Sequence, residues 1–510
     1  MKTKNKGKVW LVGAGPSDAG LLTLKGKKVL EQAQVVVYDA LAGYGVLAMA
    51  PEDAEWIDVG KRAGYHTMSQ EQINQILLEK ALEGKQVVRL KGGDPFLFGR
   101  GGEELELLAK HQIPFEIIPG IPSAISVPAY NGIPVTHREF SSSLHIITGH
   151  KKKNQAYDMD FEALVRMGGT LVFLMGISAM EEICQGLIEA GMSPDMPAAV
   201  LQKGTSARQK RVIATIKTLK AASDAAQMET PAIIVVGNVC NLAEAFSWYE
   251  KLPLQGCRVV VTRPKELAWH MTEQLQEKGA EVVELPAITT KTIAPNQSLE
   301  QAIASLEQYQ WVVFTSQIGV RIFFEALKNA RIDVRRLAGV KIAVIGRGTA
   351  AELEKYGIFA DLIPTIYDGE TLGNALAAVC RSGDRILIPR ARVGSQELIQ
   401  QLKQVENLHV DDIPTYDTLL VEKHLIDERK LLENGNVDYV TFTSASTVRG
   451  FLAATAGMNL DYSKVEAVCI GKQTAAEAEK AGMKTHIAKE AAVTSMIQLI
   501  EELFVCKRQL

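Results

Sequence analysis

The sequence lacks the features that mark membrane proteins and metal-binding or disulfide-bonded domains. No apolar run approaches the roughly 20 residues that a membrane-spanning helix needs. The six cysteines are far apart, without the Cys-x-x-Cys or clustered Cys and His spacing of a zinc or iron–sulfur site. We therefore expect free thiols in a reducing cytosol, a cytoplasmic location and no bound metal.

The chain also carries little net charge, because 56 basic and 59 acidic residues give a formal charge of -3. A balance this close favours neither nucleic acid nor a membrane as a partner. The basic segment 1–8 runs directly into the apolar segment Val9–Val12, which is too short for the core of a signal peptide.

Short β-branched segments alternate with amphipathic helical segments along the whole chain. This alternation is typical of α/β proteins with largely parallel sheets, and 510 residues are too many for one core. A Pro- and Gly-containing segment separates a helix-like stretch from a new strand near the middle. We predict a first domain at residues 1–250, a linker at 251–256 and a second domain at 257–505.

The second half contains an internal repeat of three blocks. The paired blocks are Val259–Arg263 with Ile386–Arg390, Phe314–Ser316 with Phe442–Ser444, and Ile345–Glu352 with Ile470–Glu477. Three blocks in the same order at a nearly constant offset predict two similar α/β lobes.

The repeat also indicates where a ligand would bind. In both copies an apolar strand ends in Thr-Ser or Ile-Gly before a helical segment, which places hydroxyl and backbone N–H groups at helix amino termini, where anions bind. The candidate residues are Thr315, Ser316, Thr349, Thr443, Ser444 and Thr474. Alternatively, these side chains only cap their helices.

The most informative segment of the first half is VVRLKGGDPFLFGRGGEE at residues 87–104. An apolar strand with two cations ends on Gly92-Gly93, and the following Asp94-Pro95 forces a turn. Glycine pairs allow a backbone to approach a ligand closely or to adopt positive φ. The segment predicts a ligand-binding loop, with an ordinary strand-to-helix turn as the alternative.

Two further features of the first half bear on chemistry. Gly13-Ala14-Gly15 begins like a dinucleotide-binding fingerprint, but Asp18 occupies the third glycine position, which argues against an NAD site. Asp39 and Lys61 each follow a strand-like segment. They could act as base and acid, or they could only pair on the surface.

Residues 9–237 resemble the uroporphyrinogen-III C-methyltransferases of the tetrapyrrole methylase family. The matching blocks include Gly13–Pro16, Leu21–Lys25, Tyr38–Leu41, Gly60–Gly64, segment 87–104, Pro119–Ile121, Gly132–Arg138, Thr148–His150, Leu171–Gly176, Gly204-Thr205 and Pro231-Ala232. The resemblance implies a homodimeric methylase of two α/β lobes, with S-adenosylmethionine in the cleft between them. It implies that the methyl donor contacts Pro16, Gly92, Gly93, Asp94, Leu97, Pro122, Ser123, Met175, Gly204 and Ala232.

The implied reaction transfers two methyl groups in succession to carbons 2 and 7 of uroporphyrinogen III and yields precorrin-2. Asp39 and Lys61 occupy the positions of a proposed base and acid in this family. Because the substrate carries eight carboxylates, nearby cations are candidates for its recognition. These candidates are Lys61, Arg62, Arg89, Lys91, Arg100 and Arg138.

Residues 256–503 resemble the uroporphyrinogen-III synthases more diffusely. The matching pieces are Thr262–Pro264, Phe314–Ser316, Ile345-Gly346, Thr349-Ala350, Tyr416, Phe442–Ser444, Ile470-Gly471 and Thr474-Ala475. The resemblance implies two similar flavodoxin-like lobes around an open cleft, and closure of hydroxymethylbilane with inversion of ring D. Tyr416 would help the hydroxyl group leave, while the hydroxyl residues of the repeat and nearby amides would hold carboxylates.

Two alternatives remain open at this point. The first half could methylate a later corrin precursor or a diphthamide precursor, although the combination of Asp39, Lys61 and segment 87–104 argues against this. The second half could be an anion-binding module without catalytic activity. In each case the expected partners are small molecules, and neither nucleic acid nor membrane is expected.

Overall fold

The computed structural model describes residues 6–39, 41–51, 53–60, 68–149, 159–394, 396–421 and 429–509. Within these residues the chain forms four five-stranded sheets, two in each half, with helices between the strands. The predicted α/β class with largely parallel sheets is confirmed.

The first half is built on two of these sheets. Its strands are β1 (Lys8–Gly13), β2 (Val35–Tyr38), β3 (Glu55–Asp58), β4 (Gln86–Lys91), β5 (Phe115–Ile118), β6 (Leu144–Thr148), β7 (Thr170–Leu174), β8 (Pro197–Gln202), β9 (Lys210–Thr215) and β10 (Ala232–Val236). Its helices are α1 (Leu24–Leu30), α2 (Tyr44–Leu47), α3 (Gln70–Leu82), α4 (Gly101–Lys110), α5 (Ser123–Tyr130), α6 (Phe161–Met167), α7 (Met180–Glu189) and α8 (Leu219–Ala225).

The strand order of the first sheet places the carboxyl ends of β1, β2 and β4 next to each other. The first sheet has the order β3-β2-β4-β1-β5 and is parallel throughout. Every residue of β2 is buried, as expected for a strand that helices cover on both faces. The second sheet has the order β6-β7-β10-β8-β9, in which β6 and β7 are parallel and the other neighbours are antiparallel. The segments that follow β1, β2 and β4 therefore share one edge of the first sheet.

The second half is built on the other two sheets. Its strands are β11 (Arg258–Val261), β12 (Glu281–Glu284), β13 (Ile288–Thr292), β14 (Trp311–Phe314), β15 (Lys341–Val344), β16 (Arg385–Ala391), β17 (His409–Leu420), β18 (Tyr439–Phe442), β19 (Glu466–Cys469) and β20 (Lys484–Ile487). Its helices are α9 (Lys265–Glu277), α10 (Gln297–Ala304), α11 (Gln317–Asn329), α12 (Arg347–Glu354), α13 (Gly369–Val379), α14 (Glu397–Leu402), α15 (Arg429–Glu433), α16 (Ala445–Ala454), α17 (Lys472–Lys480) and α18 (Val493–Gln509).

Each lobe of the second half combines strands from both copies of the sequence repeat. Lobe I is the sheet β12-β11-β18-β19-β20, whose strand order is flavodoxin-like, and lobe II is the sheet β13-β17-β16-β14-β15. The first repeat copy supplies β11 to lobe I but β14 and β15 to lobe II. The second copy supplies β16 to lobe II but β18 and β19 to lobe I. The predicted pair of similar lobes is confirmed, and lobe I is discontinuous in the chain.

The two halves are in direct contact. The backbone N–H of Ala207 donates to Glu281 Oε2 at 2.9 Å, and the Arg208 guanidinium donates to the Gly256 carbonyl at 3.3 Å. Leu254, within the predicted linker, is fully buried in the core of lobe I, and its N–H donates to the Lys278 carbonyl. Segment 251–256 is therefore packed structure. Among the described helices, none is long and apolar enough to cross a membrane.

Candidate active sites

The glycine loops after β1 and β4 are joined at the carboxyl edge of the first sheet. Gly13 pairs with Lys91 in register, and beyond this pair Gly15 and Gly93 exchange backbone hydrogen bonds of 3.2 and 2.7 Å. Pro16 follows directly, so the two predicted donor-binding loops form one surface.

The two positions of the Gly92-Gly93 pair favour glycine for different physical reasons. A Cβ added to Gly92 would lie 2.5 Å from the Cβ of Leu41, so packing excludes a side chain there. Gly93 adopts φ +67°, and an added Cβ would meet nothing closer than the Ser123 nitrogen at 3.9 Å. The backbone at Gly93 is therefore open to a ligand and near the start of α5.

Asp94 fastens this loop to the segment before α5. Its Oδ1 accepts hydrogen bonds from the backbone N–H groups of Phe96 and Leu97, and its Oδ2 accepts from Gly120 at 3.0 Å. Backbone donors thus engage both carboxylate oxygens, and Pro122 then precedes α5 as its N-cap residue. Asp94 shapes the loop in which Leu97 lies.

The second sheet presents its predicted residues at one edge. Antiparallel register places Ala232 opposite Gln202 and, one step beyond the Ile233–Leu174 pair, beside Met175. Met175 adopts φ +56° and is 51% exposed. Gly204 follows β8 at the same edge.

Helix α5 connects the two edges. Its first residue, Ser123, is beside Gly93, and one turn later Val127 packs against Gly204, where an added Cβ would lie 2.3 Å from a Val127 methyl carbon. The backbone N–H of Asp18, in the loop after β1, also contacts Thr205 Oγ1 at 3.3 Å. The structure thus joins the predicted residues of both sheets through α5, and we refer to the region between these two sheet edges as the cleft of the first half.

Asp39 lies at this cleft beside a buried cluster of charges. Its Oδ2 is 3.6 Å from the Arg89 guanidinium, and its Oδ1 accepts from the N–H groups of Leu41 and Gly92 at 3.2 and 3.4 Å. Its side chain is 25% exposed. Asp39 is therefore held in a fixed position while part of it faces solvent.

Arg89 and Lys91 are not free to bind a substrate carboxylate. Both are buried, and Glu104 Oε1, itself fully buried, accepts from Arg89 Nε at 3.2 Å and from Lys91 Nζ at 2.7 Å. Burial lowers the pKa of Lys91, Arg89 acts in the same direction, and Glu104 opposes both. We therefore leave these two cations out of the proposed substrate-binding set.

The other cationic candidates differ in their surroundings. Arg100 is exposed and forms a bidentate ion pair with Glu103, at 2.8 Å from Nε. Arg138 is exposed, and no ion pair involving it is found among the described residues. Lys61 and Arg62 lie outside the described residues.

Glu104 is the residue that the sequence interpretation missed. The available signal was the spacing of Arg89 and Lys91, which lie two apart on one face of a strand. Two cations on one face of a buried strand require a buried carboxylate. Glu104 supplies this carboxylate from the first turn of α4, which contains two adjacent glutamates.

Tyr416 of lobe II reaches the start of α11. Its hydroxyl is 2.9 Å from Ser316 Oγ, which also accepts the N–H of Gly319 at 3.0 Å. Burial raises the pKa of Tyr416, and the hydrogen bond with Ser316 partly opposes this. The tyrosine therefore stays protonated at neutral pH.

Capping explains two of the predicted hydroxyl groups. Ser316 caps α11, and Ser444 caps α16 while its own N–H donates a reciprocal bond to Thr447 Oγ1. Helices α12 and α17 instead begin after glycines, Gly346 and Gly471, without a side-chain cap. Their first-turn N–H groups can therefore donate hydrogen bonds to a bound anion.

The uncapped helices occupy equivalent places in the two lobes. Thr349 and Thr474 are buried in the first turns of α12 and α17, and Thr315 and Thr443 are half-buried before the capped helices. At the start of α12, Arg347 of lobe II is 3.7 Å from Glu490 of lobe I. The two lobes thus meet near these helix starts.

Comparison with known proteins agrees with this architecture. Residues 8–220 match the family Tetrapyrrole (Corrin/Porphyrin) Methylases, and residues 270–498 match the family Uroporphyrinogen-III synthase HemD. The porphyrin biosynthesis protein HemD of Ruminiclostridium josui is 44% identical over 497 residues, which cover 98% of each chain. The chain belongs to the family of fused tetrapyrrole methylases and uroporphyrinogen-III synthases.

Two other relatives of this fused methylase and synthase match shorter parts of the chain. The uroporphyrinogen-III C-methyltransferase of Bacillus subtilis (strain 168) is 42% identical over 358 residues, 70% of this chain and 73% of that protein. The S-adenosyl-L-methionine-dependent uroporphyrinogen III methyltransferase of Methanosarcina barkeri is 49% identical over 239 residues, 47% of this chain and 94% of that protein. The family resemblance inferred from the sequence is confirmed for both halves.

The structure also bears on metals and thiols. Within the described ranges, no group of three or more His, Cys, Asp or Glu side chains is arranged to hold a metal ion. All six cysteines are free, and burial raises the pKa of Cys240 and Cys469 to about 12.

Proposed function

We propose that the chain is a bifunctional enzyme of tetrapyrrole biosynthesis. Its second half closes hydroxymethylbilane to uroporphyrinogen III with ring D inverted. Its first half transfers two methyl groups from S-adenosylmethionine to carbons 2 and 7, which yields precorrin-2. The observation that carries the proposal is the convergence of the family's donor-binding positions from two sheets around one cleft.

The methyl donor is proposed to bind in the cleft of the first half. The backbone is open at Gly93, Met175 is exposed at the opposite edge, and α5 closes one side between them. S-adenosylmethionine supplies a methyl group made electrophilic by a sulfonium ion. The residues proposed to hold it are Pro16, Gly92, Gly93, Asp94, Leu97, Pro122, Ser123, Met175, Gly204 and Ala232.

Orientation supplies much of the acceleration, because a pyrrole carbon is a modest nucleophile that reacts when it is held in line with the methyl group. Asp39 is proposed as the base that removes a proton from the methylated macrocycle. Two backbone N–H groups and the Arg89 guanidinium hold its carboxylate, so it does not swing away from the cleft. Lys61 is proposed as the corresponding acid.

Recognition of the acidic macrocycle is assigned to cations outside the buried cluster. Arg138 and Arg100 are exposed, and Arg62 is retained on the family resemblance. We also propose that the methylase half forms a homodimer and that the protein acts in the cytoplasm. Light scattering of the purified chain tests the dimer.

In the second half, the helix starts around the cleft are proposed to hold the substrate's carboxylates. The uncapped amino termini of α12 and α17 offer backbone N–H groups, with Thr349 and Thr474 in their first turns. Thr315, Ser316 and Ser444 line the neighbouring starts. Tyr416, kept protonated by burial, is proposed to donate a proton to the departing hydroxyl group of the bilane.

One experiment tests both activities. The purified chain is given hydroxymethylbilane with S-adenosylmethionine, and separately uroporphyrinogen III with S-adenosylmethionine, and products are followed by absorbance and mass. We expect a dimethylated product in both reactions. No dimethylated product from uroporphyrinogen III would refute the methylase assignment.

The isomer formed from hydroxymethylbilane alone tests the synthase half separately. Formation of the type III isomer is expected. Only the spontaneous type I isomer would instead favour a non-catalytic anion-binding module.

A further inference from the structure

Arg263 is a half-buried cation, and no hydrogen-bond or ion-pair partner of it is found in the part of the chain that the structure describes. It follows β11 at the carboxyl edge of lobe I. Its Nε is buried and has no hydrogen-bond partner, and no ion pair involves its guanidinium among the described residues. Burial alone lowers its pKa, with no contribution from a neighbouring carboxylate. Protein structures rarely leave a buried N–H group without an acceptor, because its desolvation is then uncompensated.

The internal repeat provides a control within the same chain. Arg390 occupies the equivalent position in lobe II, where it is buried more deeply, at 5% exposed. Unlike Arg263, it forms a bidentate ion pair with Asp412, with both N···O distances at 2.7 Å. The same fold position thus has a carboxylate partner in one lobe and lacks one in the other.

The strand register shows why lobe I lacks the partner. Asp412 pairs in register with Ile388 of β16, and the corresponding residue of lobe I is Glu284, which pairs with Val261 of β11. Glu284 instead accepts a hydrogen bond of 2.6 Å from Thr272 on α9. The carboxylate that could neutralise Arg263 is therefore used elsewhere.

The position of Arg263 also suits an anion from outside the protein. Val261 pairs with Thr441 of β18, so residue 263 lies level with Thr443, directly before the start of α16. The next strand, β19, leads into the uncapped start of α17. A guanidinium and helix amino termini on one sheet edge attract the same kind of ligand.

We propose that Arg263 binds a carboxylate of the tetrapyrrole substrate in the synthase half. This inference rests on the proposed synthase function and adds a binding residue to it. The carboxylate would occupy the place that Asp412 takes beside Arg390, with two parallel N–H···O bonds to the guanidinium.

Replacement of Arg263 in the full-length chain tests the proposal. In Arg263→Gln we expect the KM for hydroxymethylbilane to rise about tenfold, the effect of losing one such charged contact. We expect Arg263→Lys to recover part of this loss, because it keeps the charge but not the bidentate geometry. Formation of the type III isomer is measured by chromatography.

Thermal unfolding distinguishes binding from a structural role. Without substrate, Arg263→Gln should not lower the unfolding midpoint, because the variant removes a charge that has no partner. The matched variant Arg390→Gln should lower it, because Asp412 loses its partner. An unchanged KM in Arg263→Gln, or a variant that unfolds more easily or fails to fold, would overturn the proposal.

The product formed by the unsubstituted chain distinguishes failure of the proposed synthase function from failure of the proposed role of Arg263. If it forms only the type I isomer, the proposed synthase function fails. If it forms the type III isomer and Arg263→Gln has the parent's KM, only the role of Arg263 fails.

Discussion

Asp39 combines a fixed position with partial exposure, the two properties that a base at a substrate cleft needs. In Asp39→Asn the side chain keeps a similar shape and loses its basic oxygen. We expect methylation turnover to fall about 100-fold. The KM for S-adenosylmethionine should stay close to that of the parent, since the donor-binding residues are unchanged. Steady-state kinetics with uroporphyrinogen III measures both constants.

Asp160→Asn is the control for this variant. Asp160 caps α6 by accepting the N–H of Ala163 at 2.8 Å, and asparagine caps a helix equally well. Its turnover should equal that of the parent. Normal turnover in Asp39→Asn would instead assign Asp39 a purely structural role.

Tyr416 leads to a prediction about pH. Because burial raises its pKa above the ordinary value of about 10, the hydroxyl stays protonated throughout the neutral and mildly alkaline range. The synthase rate should therefore show no loss from ionisation of Tyr416 below about pH 10. Rates measured between neutral pH and this limit test the expectation.

Tyr416→Phe should lower the rate of type III isomer formation about tenfold or more, because the proton donor is lost. Tyr309→Phe is the matched control. Its hydroxyl donates to Asp411 at 2.6 Å, away from the start of α11. Equal rates in the two variants would exclude the proposed role of Tyr416.

At the scale of elements, the buried charges of the first sheet join β4 to α4. Glu104→Gln removes the only full negative charge that directly contacts both Arg89 and Lys91 among the described residues. We expect the free energy of unfolding of the methylase half to fall by about 3–5 kcal/mol, because buried Lys91 then lacks a carboxylate partner and Arg89 keeps only Asp39, at 3.6 Å. Calorimetry of the full chain measures the change.

Glu103→Gln is the control for this cluster. Glu103 pairs with Arg100 on the exposed face of the same helix turn. Exposed pairs contribute little to stability, so the unfolding transition should hardly move. Equal effects of the two substitutions would contradict the assignment of Glu104.

The elements show which parts of the site a sequence can predict. Glycines and prolines at strand ends mark loops by their backbone chemistry, so the loop at Gly92 and Gly93 could be predicted as a ligand-binding loop. Gly204 was assigned only through the family resemblance. The partners of Arg89, and the combination of both repeat copies in each lobe, could not be predicted in this way, because they depend on which strands become neighbours in a sheet. Such long-range pairings leave little trace in local composition.

At the scale of the whole molecule, the loop after β8 links the methyl-donor cleft to lobe I. Besides its bond to Gly256, Arg208 approaches Asn436 at 3.4 Å and Asp438 at 3.8 Å, both before β18. Arg208→Ala removes these contacts, so we expect the unfolding transitions of the two halves to move further apart. Differential scanning calorimetry measures their separation.

Arg336→Ala is the corresponding control, because its ion pair with Glu307 lies within lobe II and is exposed. It should leave the separation of the transitions unchanged. If Arg208→Ala gives the parent's separation, the two halves unfold independently of this contact.

The discontinuity of lobe I has a consequence for synthesis on the ribosome. Thr262, at the end of β11, bonds to Thr441, 179 residues later in the chain. While the ribosome completes lobe II, β11 and β12 have emerged but their sheet is missing three strands, and one edge of β11 is unpaired. The nascent chain therefore carries an exposed strand edge beside a finished methylase until β18 emerges and pairs with β11.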